Sequence, residues 1–166
     1  MTENLQNLDP KAASEFWLRR CFELARQARQ RGDHPFGAVL VNAAGECILE
    51  AENTVETTAD ITAHAELNLV KQARRQWSAD QLAHCTLYTS TEPCPMCAGA
   101  IFWGNIRQVV FGLSEAGLYD IIGTHSEEVL MLPCAEVFER GKKNIQVKGP
   151  FLTSEARSVH EGFWSP

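Results

Sequence analysis

The sequence of 166 residues suits one domain, and its content of 45% apolar and 22% charged residues is close to the average of globular proteins. This composition excludes a disordered chain and a fibrous or collagen-like architecture, and it predicts a single domain over residues 1–166 with a packed core. Fifteen basic and twenty-one acidic residues give a net charge of -6, which disfavours a nucleic-acid-binding protein because such proteins neutralise phosphates with clustered lysine and arginine.

The N-terminus and the cysteines indicate the compartment. The first ten residues lack the basic start and apolar run of a signal peptide, and no stretch approaches the roughly 20 apolar residues that cross a bilayer. We therefore expect a cytoplasmic protein without membrane association. Its six cysteines would be reduced there, so the close pair Cys94 and Cys97 predicts a metal or redox site rather than a disulfide. Small buried hydrophobic side chains are predicted for the other four, Cys21, Cys47, Cys85 and Cys134.

The N-terminal half predicts two helices and a hairpin. Apolar residues recur at helical spacing over residues 11–31, which predicts the first helix. Residues 36–41 and 47–51 are short β-prone runs, and the turn residues between them favour two antiparallel strands. The second helix is predicted over residues 63–77, with Thr62 as its N-cap and an inner face formed by Leu67, Val70 and Ala73.

The C-terminal half predicts a strand over residues 86–90, a helix from Pro95 to about Trp103, and a strand over 108–113. A strand, helix and strand in this order favour parallel pairing. Beyond them we expect short helices at 127–132 and 135–140, a strand at 145–148 and a terminal helix at 154–163, with 114–124 as the most mobile loop. Together the elements predict an α/β fold of three layers, α/β/α, with a mixed sheet of about five strands.

Two short motifs contain residue types that bind zinc: His64-Ala65-Glu66 and Pro93-Cys94-Pro95-Met96-Cys97. Zinc prefers tetrahedral nitrogen and sulfur ligands, and a site with three protein ligands leaves the fourth position for water, as catalytic sites do. His64, Cys94 and Cys97 are therefore the predicted ligands of Zn²⁺. If the two cysteines begin a helix, their spacing places both sulfurs on one face, and the positive helix end favours thiolates.

Glu66 lies two residues from His64, close enough to contact a zinc-bound water without competing for the metal. This arrangement predicts a general base beside a metal-activated nucleophile. Each motif alone is a weak signal, since His-x-Glu occurs by chance and a CxxC pair can be redox-active or structural. Together, in this order, they match the known H-x-E and P-C-x-x-C signature of zinc-dependent nucleobase deaminases.

The sequence resembles the cytidine deaminase-like superfamily over about residues 36–112, and within it the guanine deaminases most closely. Besides the two motifs and the residues directly before them, Thr62-Ala63 and Glu92, the resemblance rests on Pro35-Phe36-Gly37-Ala38-Val39, Asn53, Tyr88-Thr89-Ser90, Gly99-Ala100-Ile101 and Trp103. The segment Glu115-Ala116-Gly117-Leu118-Tyr119-Asp120 is similar to the one that carries a catalytic aspartate in guanine deaminases, although the loop before it is shorter here.

The resemblance implies hydrolytic deamination of a purine base or nucleoside, guanine or guanosine above all, with release of ammonia and Zn²⁺ as the cofactor. It implies Glu66 and Asp120 as catalytic residues. It further implies that Phe36 stacks on the base, that Asn53 donates to a ring carbonyl or sugar hydroxyl, and that the Ala65 N–H contacts the substrate. The partner expected from this likeness is a small-molecule purine and not a nucleic acid.

Other functions remain open at this point. A tRNA adenosine deaminase shares the Cys-Ala-Gly-Ala run, but it should carry a basic approach to RNA, whereas residues 154–166 hold a single arginine. A cytosine or cytidine deaminase would use the same motifs. A structural zinc module or a thioredoxin-like redox pair could also use Cys94 and Cys97, but both leave Glu66 unexplained.

Aromatic residues on predicted short helices raise the question of assembly. Phe102 and Trp103 and the terminal pair Phe163 and Trp164 could be left exposed by a layered fold of this size. We therefore expect a homodimer. The alternative is that these side chains complete the core of the monomer.

Overall fold

The computed structural model describes residues 8–164 and begins with a long N-terminal helix. Helix α1 (Pro10–Arg31) starts at Asp9, whose carboxylate accepts the backbone N–H groups of Lys11 and Ala12, and it ends at Gly32 with a φ of 100°. Its buried face includes Leu18 and Phe22 and packs against the sheet. The helix predicted over residues 11–31 is confirmed.

Within residues 8–164, five strands form one mixed sheet. They are β1 (Gly37–Val41), β2 (Cys47–Glu52), β3 (Thr86–Thr91), β4 (Gln108–Leu113) and β5 (Gln146–Lys148), in the order β2-β1-β3-β4-β5. Strand β1 pairs antiparallel with β2 and β3, whereas β3, β4 and β5 run parallel. The parallel pairing of β3 and β4 is confirmed, because helix α5 (Pro95–Gly104) makes the crossover between them.

Helices cover both faces of this sheet. Alternating residues of β1 belong to two cores: Ala38 and Leu40 pack with helices α3 (Ala65–Gln76), α5 and α7 (Cys134–Glu139), while Val39 and Val41 pack with α1, α6 (Glu115–Ile122) and α8 (Thr153–Ser158). Two short helices, α2 (Val55–Thr58) and α4 (Ala79–Ala83), flank α3. The predicted three-layer α/β/α fold is confirmed.

Helix α3 and strand β2 differ from the sequence prediction in three details. Helix α3 begins after His64, because the Thr62 hydroxyl donates to Asp60 instead of capping the helix. Leu69 is buried on the inner face of α3, whereas Leu67 is only half-buried. Among the four cysteines predicted to be buried, Cys47 is exposed at the start of edge strand β2.

The segment after β4 also differs from the prediction. Residues 114–124, expected as a mobile loop, contain α6, because the Ser114 hydroxyl accepts the Gly117 N–H and the apolar face of the helix packs on the sheet. Residues 127–132, expected as a helix, have no helical structure because the Tyr119 hydroxyl binds both backbone groups of Leu130. The terminal helix α8 ends at Ser158, earlier than expected. No helix within residues 8–164 is long and apolar enough to cross a membrane.

Candidate active site

Three predicted zinc ligands meet where two helices begin. His64 is the N-cap residue of α3, Cys94 is the N-cap residue of α5, and Cys97 lies in the first turn of α5. Pro95 suits the first helical position because it has no N–H to leave unpaired, and it fixes the chain between the two cysteines. Both cysteine Sγ atoms lie 3.6 Å from His64 Nδ1, and the three potential ligand atoms are all within 4.8 Å of one another.

These distances fit a tetrahedral zinc ion. With Zn–S and Zn–N bonds of about 2.3 and 2.05 Å, tetrahedral angles place a histidine nitrogen and a cysteine sulfur about 3.6 Å apart. The observed separations of 3.6 Å agree with this value. Three protein ligands would leave one position of a tetrahedral ion for water, and His64 and Cys94 line a cavity that a substrate could enter.

The electrostatics of the two thiols also favour a divalent cation. Cys97 and His64 stabilise the Cys94 thiolate and lower the pKa of Cys94 well below its ordinary value. The same pairing and burial raise the pKa of Cys97, because two adjacent thiolates repel each other. A divalent cation between them compensates this repulsion and allows both to bind as thiolates.

Glu66 lies beside the ligand cluster in the first turn of α3 and is 5% exposed. Its Oε1 accepts a hydrogen bond of 2.7 Å from the Thr89 hydroxyl of β3. Burial raises the pKa of Glu66, and the hydrogen bond from Thr89 opposes this effect. A buried carboxyl group that is held by a hydroxyl group beside the ligand cluster is placed to accept a proton and to return it. The predicted neighbourhood of Glu66 and the three ligands is therefore present in the structure.

A cavity of about 510 Å³ opens in front of these residues. Its walls carry seven apolar or aromatic side chains, Phe36, Val55, Ile61, Leu118, Tyr119, Ile122 and Trp164. They also carry five acidic ones, Glu56, Glu66, Glu92, Glu115 and Glu128, and neither lysine nor arginine lies among the described lining residues. A groove of about 580 Å³ along β2 contains no cysteine or histidine among its described lining residues, and its Arg20 is paired with Glu50.

Aromatic residues of the C-terminal segment cover one side of the cavity. The Trp164 Nε1–H donates to His160 Nδ1 at 3.0 Å, and the ring of Phe36 lies 6.1 Å from that of Trp164. His160 is buried beside Thr91, and burial together with Arg29 and Arg157 lowers the pKa of His160 to about 4. The imidazole is therefore neutral at pH 7 and can accept the indole N–H.

The structure places the three predicted substrate-binding residues at or next to this cavity. Phe36 lines it, and Ala65 is the first residue of α3, so its N–H has no acceptor within the helix. Asn53 is fully buried, accepts the N–H of Val55 through Oδ1, and has an Nδ2 group without a hydrogen-bond partner among the described residues. The position of these residues is compatible with the roles implied by the resemblance, which remain predictions.

Asp120 is the predicted site residue that the structure does not bring to the cavity. The residues of α6 that line the cavity are Glu115, Leu118, Tyr119 and Ile122, which share one face at helical spacing. Asp120 lies off that face, its side chain is 72% exposed, and its Oδ2 lies 3.2 Å from Arg157 Nη2. A catalytic role for Asp120 is thus a prediction from sequence alone, and the geometry favours Glu115 as the additional carboxylate of the site.

Most residues of the cavity wall were given no role by sequence reasoning, among them Glu115, Glu92 and Trp164. Glu115 belongs to the segment quoted for Asp120, but the resemblance drew attention to its last residue and not to its first. Glu92 directly precedes the cysteine motif, and its two carboxylate oxygens accept the N–H groups of Glu115 and Cys134, which ties α6 and α7 to the end of β3. Trp164 is distant in sequence from every motif, and only the fold brings it to the site.

The family is decided by comparison with known proteins. Residues 11–113 match the model of the cytidine and deoxycytidylate deaminase zinc-binding region, which is more than half of the chain. The chain belongs to this family. The predicted likeness to cytidine deaminase-like enzymes is thereby confirmed, and the match contains the His64, Glu66, Cys94 and Cys97 motifs.

Relatives of this deaminase differ in the substrates that their names give. A probable cytosine deaminase from Schizosaccharomyces pombe is 40% identical over 152 residues, 89% of this chain and 90% of its own length. Guanine deaminase from Bacillus subtilis is 43% identical over 112 residues, which are 64% of this chain and 71% of that protein. The X-ray structure of guanine deaminase from Bacillus subtilis matches with a TM-score of 0.60 and 31% identity, and the match covers 92% of this chain and 96% of that one. The tRNA-specific adenosine deaminase of Bacillus subtilis is 40% identical over 98 residues, 59% and 60% of the two chains.

Proposed function

We propose that this deaminase catalyses the zinc-dependent hydrolytic deamination of a free nucleobase, guanine in the first place. The observation that carries the proposal is one cavity that holds a His-Cys-Cys ligand set, a buried glutamate beside it and walls that are apolar or acidic. Such a cavity suits a neutral heterocycle. Phosphate groups of a nucleotide or of RNA would face five glutamates without a lysine or arginine among the described lining residues.

The residues have distinct roles in the proposed reaction. His64, Cys94 and Cys97 would hold a zinc ion, which when bound would supply a Lewis acid that activates water for attack on the amino-bearing ring carbon. Glu66 takes one proton from the attacking water and delivers it to the ring nitrogen as the C–O bond forms. It then takes the second proton from the new hydroxyl group and delivers it to the amino group, so that the C–N bond breaks, ammonia leaves and a ring carbonyl remains. Thr89 orients the carboxylate of Glu66 through its 2.7 Å hydrogen bond.

The proposed substrate contacts complete this assignment. Phe36 and Trp164 provide aromatic surfaces for the heterocycle. The unpaired Nδ2 of Asn53 is a donor suited to a ring carbonyl oxygen, and the N–H of Ala65 at the start of α3 is a second donor. A buried donor left without a partner costs free energy, so pairing with a substrate carbonyl is a physical reason for its position.

Guanine and cytosine are the two candidate bases. The cavity volume of about 510 Å³ accommodates a bicyclic purine, and identity to the Bacillus guanine deaminase is 43%. Cytosine is the second candidate because the alignment with the probable cytosine deaminase extends over 90% of that protein and includes regions outside the zinc motifs. Both bases combine an amino-bearing ring carbon with a carbonyl group, which is what Glu66 and Asn53 require.

The test is ammonia release by the zinc-loaded protein from guanine, cytosine, adenine, guanosine, cytidine and a tRNA. We expect the highest kcat/KM for guanine and little activity on the nucleosides and the tRNA. A higher kcat/KM for cytosine would replace guanine with the second candidate. A preference for the tRNA would contradict the argument from the charge of the cavity.

The role of Glu66 is tested by Glu66→Gln, which preserves the shape of the side chain and an oxygen for Thr89 but removes the proton acceptor. We expect full zinc content by elemental analysis and a loss of at least about 100-fold in kcat, the usual scale for a general base. Glu127→Gln is the matched control, since Glu127 is exposed and outside the cavity lining. Equal turnover by the two zinc-loaded variants would contradict the assigned role.

A further inference from the structure

Glu115 has a carboxylate oxygen that no described residue satisfies. The residue is 3% exposed and lines the cavity from the first position of α6. Its Oε1 accepts the N–H of Leu132 at 3.0 Å, whereas its Oε2 is buried and receives no hydrogen bond within residues 8–164. A buried carboxylate oxygen without a donor is costly, so its position calls for a partner.

The neighbouring side chains are already occupied. The Tyr119 hydroxyl donates to the carbonyl of Leu130 at 3.1 Å and accepts the Leu130 N–H at 3.3 Å. Both oxygens of Glu92 accept backbone N–H groups and have no proton to donate when ionised. No lysine or arginine is among the described lining residues of the cavity. A molecule that enters the cavity can supply the missing donor.

We propose that Glu115 Oε2 accepts a hydrogen bond from an N–H group of the substrate base and thereby contributes to substrate selection. The inference deepens the proposed function and rests on it. Free guanine and cytosine carry ring N–H and amino groups, whereas a carboxylate is an acceptor only. A base that presents an acceptor at this edge would face the carboxylate without a hydrogen bond, and a site with an unpaired polar group rejects such analogues strongly.

The variant Glu115→Gln tests this assignment with little structural change. The amide oxygen can still accept the Leu132 N–H, while the amide NH₂ replaces the free oxygen by a donor that opposes the N–H of the base. We expect kcat/KM for the preferred base to fall by about 10- to 100-fold, mainly through KM, the scale of one charge-assisted hydrogen bond. Zinc content and melting temperature should equal those of the control Glu127→Gln.

Binding provides a readout that does not need turnover. Because Trp164 lines the cavity, its fluorescence reports the binding of guanine or cytosine to the Glu66→Gln protein. Adding Glu115→Gln should weaken that binding by a similar factor, whereas adding Glu127→Gln should not. Equal affinity and equal kcat/KM in the Glu115 and Glu127 variants would overturn the inference.

The two proposals can fail separately. If the wild-type protein releases no ammonia from any base but binds one of them in a way that Glu115→Gln weakens, the proposed reaction falls and the recognition by Glu115 stands. If a base is deaminated and Glu115→Gln has no effect, the recognition falls and the reaction stands. If no base binds at all, both are overturned.

Discussion

Acidification should destabilise this protein through His160, the buried imidazole beneath Trp164. Burial, reinforced by Arg29 and Arg157, lowers the pKa of His160 from 6.5 to about 4. Between these values the unfolded chain binds the proton and the folded chain does not, so stability is retained above about pH 6.5 and is lost as the pH falls towards 4. A difference of about 2.5 pKa units corresponds to about 3 kcal/mol, a large part of the stability of an ordinary domain.

The comparison that isolates this effect is wild type against His160→Asn. Asparagine keeps an acceptor for the Trp164 N–H but has no proton to gain, so the variant should lose less stability between about pH 7 and about pH 4.5, the range in which the linkage operates. The free energy of unfolding is measured by urea denaturation at each pH. Contributions from the zinc ligands and from the buried glutamates are common to both proteins and cancel in the difference.

The result at neutral pH does not decide the matter, because the smaller side chain leaves a cavity and lowers stability at every pH. The change in the free energy of unfolding with pH decides whether His160 carries the proton linkage. If the two proteins lose the same free energy of unfolding over this range, His160 does not carry the proton linkage and its low pKa is refuted. Protonation would also replace the acceptor at Nδ1 by a donor, so wild-type Trp164 fluorescence should change over the same range.

Two further predictions concern the metal and the assembly. Cys97→Ala should lower the zinc content measured by elemental analysis and abolish ammonia release. The control Cys47→Ala, at an exposed cysteine, should keep both the zinc content and the activity. Full zinc occupancy in the Cys97 variant would mean that the ligand is wrongly assigned. Trp103 is 79% exposed on α5, so we expect a homodimer whose interface contains this side chain. Light scattering with size-exclusion chromatography should show a dimer for the wild type and a monomer for Trp103→Glu. A monomeric wild type would refute the prediction.

The sequence pointed to the candidate ligands and the candidate general base, but to few of the residues that form the walls of the cavity. The ligand residues and Glu66 are recognisable because they lie in two short motifs at the starts of helices, where spacing alone fixes which side chains share a face. The main helices also follow from the helical spacing of their apolar residues, and the strands follow from short apolar or β-prone runs, which in β1, β3 and β4 are buried almost throughout.

Periodicity fails where side chains bond to the backbone of a distant segment. Residues 127–132 have a helical pattern, but Tyr119 and Glu115 accept the N–H groups of Leu130 and Leu132 and hold the segment against α6 without helical structure. The same tertiary contacts give α6 its buried face, which decides that Glu115 and not Asp120 points to the cavity. A local pattern does not contain this information, because the partners lie 11 and 17 residues apart.

The glutamates that line the cavity link the choice of substrate to the contacts that hold the fold together. Glu92 uses both carboxylate oxygens to join β3, α6 and α7, and these hydrogen bonds fix the start of α6, where Glu115 has one oxygen without a partner among the described residues. The cavity therefore has several hydrogen-bond acceptors and neither lysine nor arginine among its described lining residues. A phosphorylated substrate would be repelled by the same glutamates that hold the walls of the cavity together. In the proposed function a neutral base with N–H donors would avoid this repulsion and would pair with the free groups of Glu115 and Asn53, so that substrate selection would follow from the contacts that hold the walls together.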